Sequence, residues 1–489
     1  MIGLVDSAAL ARIPLEIFEK LGTRFVELQL AAARDEILLV GRGVPIEQRA
    51  PLRRRRLRAR SDDAAVLLRL FCFDDAVPAD DIARVLGAVV TGALLGAGVL
   101  VRHPTRGVIA LLTLTPLDHI LVLGDRLAHA GEAVMGVGAT TIALCRASVP
   151  TAPLDQALDM GCGAGACALY LAKHVRRSIG VDINPRAAIL GRINAALNRI
   201  DNVEFRVGDL FAPVADERFD LVVSQPPFVA RPEGATEATY MFGGTRGDEL
   251  AVRLLRELPP LLAEHGRAVV VMEWPRFDDQ PVTALARAAL DRPDLSVLSL
   301  EVRDASADEI AASYASAEHP TLDESYAASA RRFREHLARL GVRAVTQTLI
   351  VVGDGGFTAR VPLSSPRITH LSGARIEARV AAERLLVGDR RAFLRARLRL
   401  APGIQIDRVW GAKGAPARFT IDHPSDPLVA TTDLNAPTHE LLREIDRADD
   451  VGTAIAWVAA RHRLPKDKTL STLVPIAENA LRQGVLVPV

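Results

Sequence analysis

Three features of this sequence predict an α/β fold built around a mostly parallel sheet. Between Asp155 and Val271, short apolar strands alternate with helical segments, the order that yields parallel strands joined by crossover helices. The first strand runs into Asp159-Met-Gly161-Cys-Gly163-Ala-Gly165 and then into the helical stretch Ala166 to His174. In open α/β sheets such a turn lies at the carboxyl edge, where ligands bind. Length is the third feature: 489 residues exceed what one hydrophobic core usually organises and predict about three domains.

Taken in order, Met1 to Leu21 carries Asp6, Arg12, Glu16 and Glu19 among apolar residues, an amphipathic helical pattern and not an export signal. A basic run follows at Arg53, Arg54, Arg55, Arg56, Arg58 and Arg60. It suits phosphates or an acidic peptide, but charge runs are more often solvated faces, and that reading is favoured. From Asp62 to Leu114 the pattern is helix, turn, helix, strand, turn, strand, with its tip at His103-Pro104-Thr105-Arg106-Gly107. This order predicts a small winged-helix-like N-terminal domain over residues 1–115. Its second helix, Ile82 to Leu95, has one arginine, which favours packing or substrate presentation over base reading. The uncharged stretch Val85 to Val101 is short for a membrane span and broken by glycines, so a buried helix, turn and strand explain it better.

The central strands are expected at Gln156 to Met160, Ser178 to Asp182, Val203 to Val207, Leu221 to Ser224 and Ala268 to Met272, with Gln347 to Val352 closing the sheet. The charged helical stretch Ser325 to Leu340 would cover it, and the domain would span 116–355. Residues 356–489 read as an α+β C-terminal domain: strand-like runs, then helices at Pro437 to Ile445, Gly452 to Ala460 and Leu470 to Gln483, and a last strand at Gly484 to Val489. Packing on the core or building a homodimer is the favoured role for this part.

Composition bounds the function. Sixty lysines and arginines balance 59 aspartates and glutamates, for a net charge of +1, so the chain as a whole has no field that would gather polyanions. The four cysteines, Cys72, Cys145, Cys162 and Cys167, include no CxxC pair. Neither a metal site nor a disulfide framework is expected, and a cytoplasmic setting fits.

The chemistry concentrates at the sheet edge. Gly161, Gly163 and Gly165 let backbone approach a ligand closely. Asp182 ends the second strand about twenty residues after the loop, where a carboxylate accepts both hydroxyls of a ribose. Asp209, just after the third strand, is placed to receive an adenine amino group, to help shape that pocket, or to cap a turn. To this point an NAD or FAD loop is an open alternative. Ser224-Gln225-Pro226-Pro227-Phe228 then follows the fourth strand. Its prolines have no N–H and leave carbonyl oxygens free to accept. With the Gln225 amide and the Phe228 ring, the turn suits a planar acceptor bearing N–H.

Together these residues resemble the class I S-adenosylmethionine-dependent methyltransferases, specifically the (N/Q)PP(Y/F)-motif N-methyltransferases of protein-glutamine and rRNA small-domain type. The resemblance covers roughly Leu117 to Gly355. It extends to Val134-Met-Gly-Val-Gly138, similar to the family's lead-in segment near the cofactor, and to Phe242-Gly-Gly-Thr-Arg-Gly247, similar to its later glycine-rich stretch. It implies a Rossmann-like sheet. It also implies S-adenosylmethionine held by Asp159, Gly161, Gly163, Gly165, Asp182 and Asp209, and an acceptor oriented by Gln225, Pro226, Pro227 and Phe228. One position departs: the family's Asn or Asp before the prolines is Gln225 here, longer than Asn by one methylene.

Of nearby residues, Trp274 is expected in the core more than in an acceptor pocket, and Asn194 and Asn198, one helical turn apart, as packing or surface groups. Tyr240 and Glu273 are marked only by proximity. The expected function is methylation of a nitrogen on a peptide, protein or small-molecule acceptor. Near-neutral charge weighs against nucleic acid. The alternatives are an rRNA N-methyltransferase and a non-catalytic, cofactor-sensing binding protein.

Overall fold

The computed structural model describes residues 3–40, 46–103, 107–126, 131–235, 240–319, 321–363, 367–409, 418–429 and 431–489. The expected hairpin tip at Pro104, Thr105 and Arg106 lies outside them.

Six helices open the chain: α1 (Ser7–Ala11), α2 (Leu15–Glu27), α3 (Leu30–Leu39), α4 (Ile46–Arg58), α5 (Asp63–Phe71) and α6 (Ala79–Gly96). The Asp6 and Asp62 side chains accept from Ala9 and Ala65 N–H and so cap α1 and α5. Gly87 has φ 76° and kinks α6, which a residue with a Cβ would resist. Two hairpins follow, β1 (Leu100–His103) with β2 (Gly107–Ala110), and β3 (Leu112–Leu117) with β4 (Ile120–Asp125). The expected boundary at 115/116 therefore falls inside β3.

After α7 (Ala139–Ser148) the chain builds its main sheet. The strands are β5 (Leu154–Met160), β6 (Val175–Asp182), β7 (Val203–Val207) and β8 (Phe219–Ser224), with α8 (Ala166–Leu171) and α9 (Pro185–Asn198) crossing between the first three. A short parallel pair, β9 (Val229–Ala230) and β10 (Phe242–Gly244), precedes α10 (Glu249–Glu257). Then come β11 (Leu262–Arg276), α11 (Val282–Leu290), β12 (Leu295–Ser306), α12 (Ala307–Glu318), α13 (Glu324–Leu340), β13 (Ala344–Asp354) and β14 (Thr358–Pro362). The eight strands lie in the order β14-β12-β13-β11-β8-β5-β6-β7. The β7-β6-β5-β8-β11 part is parallel, β13 runs antiparallel to both its neighbours, and β14 is parallel to β12.

Strand alternation divides the core. Leu221, Val223, Val269 and Val271 face one side, where they join residues of α2 and α5–α9. Val222, Ala268, Val270 and Met272 face the other, against Leu254 of α10 and Ala286 of α11. The sheet is thus covered on both faces, as parallel sheets are. On the first face α2 lies so close to α9 that a Cβ at Gly22 would stand 1.9 Å from the Leu197 carbonyl oxygen. Glycine is the residue this contact admits.

The structure corrects two expectations about extent. The sheet does not end near Gly355, because β14 adds to β12, and β12 itself has no counterpart among the six expected strands. Residues 356–489 do open on a strand, β14, but it joins the main sheet, and helices α14 (Gly373–Val387) and α15 (Arg390–Arg395) then precede the remaining strands. Strands β15 (Leu398–Leu400), β16 (Gln405–Val409), β17 (Arg418–Asp422) and β18 (Thr432–Asn435) come next, then α16 (Ala436–Arg447), α17 (Val451–Arg461), α18 (Lys466–Arg482) and β19 (Leu486–Pro488). These enclose a core of their own around Phe393, Ile421, Leu441, Ile455, Val474 and Leu481. Helix α14 joins the two bodies, with Ile376 in the first core and Ala382 in the C-terminal one. Among the described residues no helix is long and apolar enough to cross a membrane.

Candidate active site

Strand order reverses between β5 and β8, since β6 and β7 extend to one side and β11 to the other. Such a reversal opens a crevice at the carboxyl ends of the strands. A cavity of about 270 Å³ occupies it, with Val134, Gly161, Asp182, Gln225, Pro227 and Tyr240 in its walls.

The loop after β5 is shaped by its glycines. Gly161, Gly163 and Gly165 have φ of 71°, 50° and 82°, all left-handed. At Gly165 a Cβ would also stand 2.7 Å from the Phe205 ring and 3.3 Å from Gly191 Cα. This glycine lets α8 start against β7 and α9 and is not itself a wall of the cavity. Asp182, at the end of β6, receives Gly163 N–H on Oδ2 at 2.8 Å and Asn184 N–H on Oδ1 at 2.9 Å. Each oxygen keeps acceptor capacity toward the cavity. Asn184 in turn caps α9 through Arg186 N–H and reaches the Glu132 carbonyl.

Asp159 is buried and receives Ala168 N–H at 2.9 Å. Burial, helped by the nearby Asp182 charge, pushes its carboxyl up to about 7. In the unfolded chain it ionises near 3.9, so between about pH 4 and pH 7 the native state holds one proton more. Stability should therefore fall as pH rises through that window, by up to about 4 kcal/mol, and level off above it. Asp159→Asn, neutral throughout, is expected to flatten this slope. Urea unfolding of both proteins across the window checks it, and parallel curves would contradict it.

Asp209 lines the cavity, and its exposed carboxylate is paired with Arg253 of α10, at 3.1 Å and 2.8 Å. An adenine amino group would have to displace that pair or meet backbone.

The turn after β8 is anchored by Ser224, whose hydroxyl donates to the Met160 carbonyl at 2.8 Å and ties β8 to β5. The Gln225 amide is held at both ends by α7: Nε2 donates to Thr140 Oγ1 at 2.8 Å, and Oε1 accepts from Thr141 Oγ1 at 3.2 Å. Pro226 is buried, and Pro227 lines the cavity. Phe228 departs from its expected place, because its ring packs into two apolar clusters outside the cavity walls. Tyr240 and Phe242 supply the aromatic walls instead. Phe242 opens β10, and a Cβ on the next residue, Gly243, would stand 2.5 Å from the Pro227 carbonyl oxygen. The glycine-rich stretch thus rests directly on the double-proline turn.

The lead-in segment closes the cavity. Val134 N–H donates to Asp125 Oδ2 at 2.8 Å. That carboxylate also receives Arg186 Nε at 2.7 Å and Nη2 at 2.6 Å. Asn194 and Asn198 are structural: their amides bond the N–H and C=O of Leu123 and Leu121 respectively, acting as a strand partner for the edge of β4. Trp274 is buried in the core, and Glu273 accepts from the Tyr314 hydroxyl at 2.8 Å. Sequence reasoning had no signal for Thr140 and Thr141, which meet Gln225 across about 85 positions. Tyr240 was marked only by proximity.

Comparison with known proteins bears on the same segment. The family described as methyltransferase small domain matches residues 140–273. The matched stretch runs from α7 into β11 and contains the glycine loop, Asp182 and the Gln225 turn. A domain of unknown function matches residues 43–111. The chain is 44% identical over 75 residues to the release factor glutamine methyltransferase of Aliivibrio fischeri, covering 15% of this chain and 26% of that protein. It is 34% identical over 128 residues to the ribosomal protein uL3 glutamine methyltransferase of Bradyrhizobium diazoefficiens, covering 24% and 40%. To the ribosomal RNA small subunit methyltransferase C of Alcanivorax borkumensis it is 37% identical over 111 residues, covering 23% and 30%. The matched segments thus span well under half the length of these relatives.

Proposed function

We propose that this protein is an S-adenosylmethionine-dependent methyltransferase acting on a nitrogen of a peptide, protein or small-molecule acceptor. The observation that carries this reading is one cavity with two unlike walls: the anchored Asp182 beside the glycine loop, and the Gln225-Pro226-Pro227 turn. S-adenosylmethionine supplies a methyl group already activated on a sulfonium. The residues present fit such a group. Asp182 keeps lone pairs for ribose hydroxyls, and space is open where a Cβ at Gly161 would project. Asp159 holds α8 and the loop in place through Ala168. Asp209 lines the cavity while paired to Arg253.

On the other wall the chain aligns the acceptor, and alignment of reacting groups is a large part of what such a site supplies. Gln225, fixed by Thr140 and Thr141, and the buried Pro226 set the turn. Pro227 faces the cavity, and Tyr240 and Phe242 take the stacking role that the sequence assigned to Phe228. The helix order α5, α6 and the β1–β2 hairpin supports a winged-helix-like N-terminal unit, and the separate C-terminal core supports an α+β domain after the main sheet. The free thiols of all four cysteines agree with a cytoplasmic setting.

The test is incubation of the full chain with methyl-labelled S-adenosylmethionine and separate peptide, protein, metabolite and RNA fractions. Label in one of the first three supports the reading, and label in none contradicts it. With the labelled fraction as substrate, Gln225→Ala should lower turnover by about 100-fold or more while leaving affinity for S-adenosylhomocysteine nearly unchanged. Equal loss of both would remove Gln225 from an acceptor-orienting role.

A further inference from the structure

The arginine run that opens the chain's basic stretch is not used by the site above. It lies on α4, anchored by the buried Leu57. Arg54 and Arg58, one helical turn apart, line a second cavity of about 600 Å³, completed by Arg69 of α5, His103 of β1, and Arg126 just after β4. Two carboxylates stand in it. Asp75 is 6% exposed and accepts from Arg58 Nε at 2.8 Å and Nη2 at 2.6 Å, and from Arg69 Nε at 2.9 Å. Asp74 lies 2.8 Å from Arg126 Nη2. Arg54 Nε donates only to the neutral Phe73 carbonyl. Four guanidiniums therefore face two carboxylates, which leaves an excess of positive charge in a recess. Each guanidinium carries five N–H donors, most of them unused by these contacts, and Arg126 Nε has no hydrogen-bond partner among the described residues. Arg55 on the same helix is exposed.

We propose that this recess, with the α4 arginines around it, is a docking face for the phosphate backbone of an RNA. Guanidinium forks match phosphate oxygens two at a time. The lining is nearly all charged, with only Ala76 and Ile109 apolar. A peptide partner would ordinarily bury apolar or aromatic anchors at the centre of its interface, whereas phosphate contacts need charge alone. Arg126 of the recess directly follows Asp125, whose carboxylate fixes Val134 in the wall of the candidate active site. The inference does not rest on the methyltransferase reading and assigns RNA no role as the methyl acceptor. Docking itself is measured without cofactor.

The experiment is fluorescence anisotropy of the full chain with a labelled single-stranded RNA of about 20 nucleotides. With three phosphate contacts, affinity should fall roughly tenfold or more between about 50 mM and 200 mM salt. Arg54→Gln with Arg58→Gln should weaken binding at least about tenfold at the lower salt. Arg56→Gln, on the opposite side of α4, should change it little. Arg54→Lys with Arg58→Lys, which keeps the charge but loses the bidentate fork, should fall between the wild type and the double Gln variant. Each variant is titrated with S-adenosylhomocysteine to confirm that the fold is intact. No RNA binding at low salt, binding indifferent to the double Gln change, or equal competition by a poly-glutamate peptide would each overturn the proposal. RNA binding by a protein that fails to bind S-adenosylhomocysteine would leave the docking face standing and remove the methyltransferase reading.

Discussion

Arg186→Ala is expected to lower unfolding stability by about 3–5 kcal/mol, the range for breaking one side of a buried ion pair. Both Arg186 and Asp125 side chains are 1% exposed. The guanidinium makes four bonds: two to Asp125, one to the Val5 carbonyl at 2.7 Å and one to Ser7 Oγ at 2.8 Å. Removing it leaves the Asp125 carboxylate buried with Val134 N–H as its remaining donor, and it frees the N-terminal segment from α9. Thermal and urea unfolding should show the loss. Affinity for S-adenosylhomocysteine should drop with it, because Val134 is a cavity wall. Replacing both partners by apolar residues, Asp125→Leu with Arg186→Met, should recover much of the stability, since no charge is then stranded. A double variant as unstable as the single one would show that shape at this position matters more than charge.

The second large effect falls on binding. Asp182→Ala should weaken S-adenosylhomocysteine by about 100-fold or more, the consequence of losing two hydrogen bonds to a charged acceptor at about 1.5–3 kcal/mol each. It also strands the N–H groups of Gly163 and Asn184, which the carboxylate orders, so the loop loses its shape as well as its acceptor. Asp182→Asn keeps one oxygen acceptor and should lose less. Calorimetric titration of the three proteins checks the order. Unchanged affinity in Asp182→Ala would end the ribose assignment.

How legible these features were follows from how local their causes are. The five parallel strands could be read because their apolar runs are continuous and bounded by turns, and the glycine loop because left-handed backbone selects glycine residue by residue. Strand β12 was hidden by its polar residues. Ser299 bonds Thr348 across to β13 at 3.0 Å, and the buried Glu301 pairs through one oxygen with Arg360 of β14 at 2.6 Å, so these polar groups find their partners only in the assembled sheet. The same holds at the site. Asp209 meets Arg253 from 44 positions away, and nothing near either residue announces the pair. Phe228 was assigned to the acceptor from its place in the motif, but the short β9–β10 pair turns the chain so that Phe242 reaches the cavity. Asn194 and Asn198 were legible as packing or surface groups but not as partners of the β4 edge, which lies about 70 positions upstream.

The cavity at the β5–β8 reversal is expected to receive S-adenosylmethionine. The most direct measurement is calorimetric titration of the full chain with S-adenosylhomocysteine and, separately, with NAD. Saturable binding of the first at one site per chain, and none of the second, is the expected result. NAD binding without S-adenosylhomocysteine binding would contradict it and return the Gly161–Gly165 loop to a dinucleotide.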